Sequence, residues 1–60
     1  MYNVVLFDST NNLPLGIIAE PDLDTALSDA CNLSTCYMLA AVYEDRHYVA
    51  MFETGKGVQA

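Results

Sequence analysis

The chain has sixty residues and a formal net charge of −6, with eight acids set against Arg46 and Lys56. That balance argues against nonspecific nucleic-acid binding, which neutralises phosphates with Lys and Arg, and against attraction to an anionic membrane surface. In a single domain this small, apolar burial and conformational entropy nearly cancel, so the high hydrophobic content of 53% must be buried within the fold or against a partner.

The first apolar run, Tyr2 to Phe7, is rich in β-branched and aromatic residues and reads as a strand. It carries no basic flank and is too short for a secretion signal. No stretch approaches the ~20 apolar residues of a membrane span, and the expectation is a cytoplasmic protein. Asp8 through Pro14 is turn chemistry, and Leu15 to Ala19 is a second strand close enough to form a hairpin. Gly16, inside that strand, signals a bulge or close packing.

Pro21 suits the first turn of a helix, and Asp22 and Asp24 suit the positive end of its dipole. Leu23, Ala26, Leu27, Ala30 and Cys31 then recur with helical spacing, and the helix is expected over about residues 22 to 33. Cys36 to Tyr43 is the most apolar run. It is read as a third strand, because Glu44-Asp45-Arg46-His47 resembles a tight turn and Tyr48 to Phe52 alternates as a fourth. Residues 1–54 form the domain, and 55–60 read as a flexible tail.

The expected fold is α+β, ββαββ, a four-stranded mainly antiparallel sheet with one helix packed on one face. A right-handed crossover sets the third strand parallel to the second, and sheet order 2-1-3-4 makes every neighbouring pair antiparallel. The alternative order, 2-1-4-3, pairs the first and last strands in parallel. In length and element order the chain resembles a β-grasp domain in outline, a resemblance that implies a fold and no function.

Candidate chemistry is sparse. Cys31 and Cys36 are not spaced as Cys-x-x-Cys, and adding His47 makes no recognised metal pattern; both thiols are read as small buried hydrophobes. No metal or cofactor is expected. His47, the one histidine, falls across the proposed turn from Glu44 as a surface charge pair with no nucleophile beside it, so no catalytic residue is assigned. Gly55-Lys56-Gly57 lacks the spacing of a phosphate loop. Tyr43 and Tyr48 face each other across the last hairpin and read as rim packing.

The strand faces carry the functional expectation. With Asp45-Arg46 as the turn, one face holds Tyr43 with Tyr48, Ala41 with Ala50, and Leu39 with Phe52. The other holds Val42 with Val49, Ala40 with Met51, and Met38 near Glu53. Both faces are apolar, and one helix covers only one of them. Aromatic bulk suits the covered side, so Met38, Ala40, Val42, Val49 and Met51 are expected to face outward and bind a partner. Glu20, Asp22, Asp24 and Asp29 offer an acidic surface to a basic target. The expectation is a non-enzymatic protein-binding module, a homodimer or a docked inhibitor or adaptor. Small phage and mobile-element inhibitors such as anti-CRISPR proteins are of this kind, and a structural homodimeric subunit or a small enzyme using His47 are the rivals.

Overall fold

The computed structural model describes residues 1–34, 38–53 and 56–58. In chain order it contains β1 (Tyr2–Asp8), β2 (Pro14–Glu20), α1 (Leu23–Leu33), β3 (Met38–Glu44), β4 (His47–Glu53) and β5 (Lys56–Val58). The expected ββαββ arrangement is present, with β2-β1-β3-β4 antiparallel throughout and one helix. The first and last strands of that set are not neighbours, which sets aside the β-grasp outline. A three-residue fifth strand lies beyond β4, where the sequence reading expected only a tail.

The first hairpin is closed by backbone bonds and by its own side chains. Asp8 donates its N–H to the carbonyl of Leu13 at 2.9 Å and accepts the N–H of Asn12 at 2.8 Å. Its carboxylate Oδ1 takes the Thr10 N–H at 2.7 Å, and Asn11 Oδ1 takes that of Leu13 at 3.2 Å. These short polar side chains stand in for backbone partners through the turn. Asn12, at φ 59°, occupies the left-handed region that asparagine tolerates. The bulge expected near Gly16 is found beside it, as a register shift between Leu6 and Phe7 of β1.

Helix α1 begins at its cap. Asp22 holds extended backbone angles and its Oδ1 accepts the Thr25 N–H at 2.8 Å, satisfying one of the helix's orphan donors. Pro21 therefore precedes the cap and is not in the first turn. At the other end the Ser34 N–H donates to Ala30, and its hydroxyl donates to the Cys31 carbonyl at 3.0 Å. Ser34 is buried, and these bonds offset the cost of removing it from water.

The core lies between α1 and one side of the sheet. Val4, Ala26, Ala30, Ala40 and Val42 are fully buried there, with Tyr2, Leu6, Ile18, Leu27 and Phe52 packed around them. The small residues Ala26, Ala30 and Ala40 let the helix approach the sheet closely.

This packing reverses the face assignment expected for β3: Ala40 and Val42 are core residues beneath the helix, and Met38 shares their side of the strand. A bulge in β4 accounts for the rest. The Asp45-Arg46 turn does pair Glu44 with His47 and Tyr43 with Tyr48, but the next partner of Val42 is Ala50, so Val49 is the extra residue. One inserted residue shifts every later side chain of the strand to the opposite face. Phe52 consequently pairs with Ala40 on the core side, and Met51 pairs with Ala41 on the open side.

Candidate functional site

Alternation along the strands carries every odd-numbered residue of β1 and β3 away from the helix. Register then assembles an open face. Val5 lies between Ile17 and Ala41, Phe7 lies beside Leu39, and Tyr43 pairs with Tyr48. The two tyrosine rings meet edge to face, with centroids 5.8 Å apart, a geometry that suits the aromatic quadrupole. Apolar neighbours shelter one another on this face: Ala41, at its centre, is fully buried, whereas Ile17 at its border is 68% exposed. No element of the described residues lies over it, because α1 occupies the other side.

The residues expected to bind a partner are thus divided. Met51 lies on the open face, and Val49 is exposed at the bulge. Met38, Ala40 and Val42 belong to the helix side, two of them fully buried. Phe7, Ile17, Leu39 and Tyr43 lie on the open face instead. The available signal was the alanine pair on one face of the helix, whose small size calls for small residues opposite. Ala41, equally small and pointing the other way, conceals it.

The acids do not join the open face. Asp24 and Asp29 are on α1, Asp22 caps it, and Glu20 ends β2 in register with Tyr2. The helix and the open face lie on opposite sides of the sheet, so the two surfaces are back to back.

A second acidic grouping surrounds Tyr2. The carboxylate of Glu44, its register partner across β1 and β3, acts on its phenol. Burial, then Glu44 and the charges of Asp22 and Asp45, push the phenol above its ordinary range, because each disfavours a phenolate there. Asp22 is held below the usual carboxylate range by the Thr25 N–H it accepts, against a smaller opposing effect of burial. His47 lies in register with Glu44 at the exposed hairpin end, as expected. Cys31 is half-buried on α1, and Cys36 lies outside the described residues.

No protein-family model matches the chain, no curated protein matches it, and no solved structure matches it. No helix among the described residues is long and apolar enough to cross a membrane.

Proposed function

We propose that this protein is a small protein-binding module, an inhibitor or adaptor acting stoichiometrically in the cytoplasm and without catalysis of its own. The observation that supports this reading is the uncovered apolar face built from Val5, Phe7, Ile17, Leu39, Tyr43 and Met51. Contiguous apolar surface of this kind on a small domain marks an interaction site, and its aromatic and Met content is what interface centres favour. The helix acids Asp22, Asp24 and Asp29 remain on the far side, where they solvate the module or meet a basic surface. With a net charge of −6 the partner is a protein and not a nucleic acid. Phage-borne inhibitors, anti-CRISPR proteins included, fit this description by size and charge.

The test compares the native chain with Met51→Glu and Phe7→Glu in affinity capture from the source cells, read by quantitative mass spectrometry. A partner held in constant ratio by the native chain and lost from both folded variants supports the proposal. Equal capture by all three rejects it, because a charge introduced into a dry interface costs several kcal/mol.

A further inference from the structure

The outer edge of β2 carries a second kind of information, in its backbone. The sheet order places β2 and β5 at the two edges. β5 has three residues and includes Lys56 and Gly57, residue types that discourage further pairing. β2 has seven residues, Pro14-Leu-Gly-Ile-Ile-Ala-Glu20, and its one charge stands at the end. It lacks the lysine, the inward charge and the mid-strand proline with which edge strands are often guarded, and its one irregularity is the bulge at Leu15, near its start.

Two bonds establish which of its groups are free to pair. Asp8 donates to Leu13 of the β2 side, whereas Met1 accepts from Asp45 of the β3 side. In an antiparallel ladder the bonding residues alternate. Even-numbered β1 residues therefore bond β2, and odd-numbered ones bond β3. By register, Ile18 and Glu20 spend their backbone groups on Val4 and Tyr2, while Ile17 and Ala19 turn theirs to the open edge. The side chain of Ile17 is also 68% exposed and that of Leu15 is 55% exposed.

We infer that β2 pairs antiparallel with β2 of a second copy of this chain, about a two-fold axis at Ile17, to form one continuous sheet. The strand is self-complementary in this register. Ile17 meets Ile17 as a hydrogen-bonded pair, and Ala19 falls opposite Leu15, the extra residue of the β2 bulge. Glu20 falls opposite Pro14 and not opposite another Glu20, so no acid faces an acid, and the proline ends the ladder where it has no N–H to give. The contact is isologous and closes at two copies. Both helices lie on the same side of the joined sheet, and the two open faces become one apolar surface. This extends the protein-binding reading by naming one partner, and it uses the strand edge rather than the centre of the open face.

The experiment measures the mass of the full chain by sedimentation equilibrium over a concentration series, beside Ile17→Pro and Met51→Glu. Because the Ile17 N–H points outward, proline there removes only intermolecular bonds. The native chain is expected at twice its 6.6 kDa mass, with stronger association as salt screens the two acidic copies. Ile17→Pro is expected to weaken association by about a hundredfold, from two lost hydrogen bonds, with an unchanged circular dichroism spectrum. Met51→Glu is expected to stay dimeric. A native chain that is monomeric up to about 1 mM overturns the inference, as does a dimer dissolved by Met51→Glu and not by Ile17→Pro. The latter result leaves the open face as an interaction site and moves the contact to it. Oxidation of Ile17→Cys provides a test that does not depend on the proline variant folding. The paired Cα atoms stand about 5.5 Å apart, within disulfide range, so a covalent dimer is expected from Ile17→Cys and not from Val49→Cys. Equal cross-linking of both overturns the inference.

Discussion

Val4 on β1 lies directly opposite Val42 on β3, and both side chains are completely buried beneath the helix. Tyr43, the next residue, points to the other side of the sheet. Val42→Ala is therefore expected to cost about 2 kcal/mol in chemical denaturation, and Val42→Glu to abolish the cooperative transition. Tyr43→Ser loses its ring contact with Tyr48 and its half-buried place on the open face, and is expected to cost about 1 kcal/mol while remaining folded. Equal damage from Val42→Glu and Tyr43→Glu would contradict a helix on one face alone.

The Asp22 cap gives the fold an acid-sensitive contact. Its carboxylate is held below the ordinary value of 3.8 in the native chain, so the unfolded chain binds the proton more readily. The resulting stability is present above that value and disappears as pH falls through the lower native value. Asp22→Asn keeps a capping oxygen and is expected to flatten this part of the stability–pH curve. Asp22→Ala loses the cap as well and is expected to melt at a lower temperature at neutral pH. Thermal melts of the three proteins across the acid range decide this.

Tyr2 acts in the opposite direction. Its phenol is raised above 10.0 in the native state by burial and then by Glu44, so the native chain holds that proton longer than the unfolded one. Its contribution is complete below the ordinary value and is lost as pH rises through the native one. Ultraviolet titration should show a late phenolate step that Tyr2→Phe removes and that Glu44→Gln moves to lower pH. A Tyr2→Phe titration identical to the native one apart from amplitude would show that the phenol is unperturbed.

Backbone conformation separates Asp45 from Gly16. Asp45, at φ 56° in the second hairpin turn, adopts a conformation strained for residues with a side chain. Asp45→Gly is expected to be neutral or stabilising, and Asp45→Val to cost more than about 1 kcal/mol. At Gly16 an added Cβ meets nothing within 4 Å. Gly16→Ala is therefore expected to stabilise by about 0.5 kcal/mol, chiefly by restricting the unfolded chain. Urea midpoints of the three variants test the pair of expectations, and a destabilised Gly16→Ala would place a neighbour against that position.

What the amino-acid sequence determined by itself was local. The period of Leu23, Ala26, Leu27 and Ala30 specified the helix, the turn residues around Asn12 and Asp45 specified the hairpins, and chain order with right-handed crossover left two sheet orders, 2-1-3-4 and 2-1-4-3, of which the structure has the first. These features follow from interactions between residues a few positions apart or from chirality. Which face the helix covers was not local. Both faces of β3 are apolar, so alternation does not distinguish Ala40 and Val42 from Leu39 and Tyr43. The decision came from close packing of Ala26 and Ala30 on Ala40, and from the bulge at Val49 that turned Phe52 inward and left Met51 outward. A register shift of one residue costs little locally yet exchanges the two faces of everything beyond it, so only the assembled sheet and helix decide which apolar surface is core and which is left open.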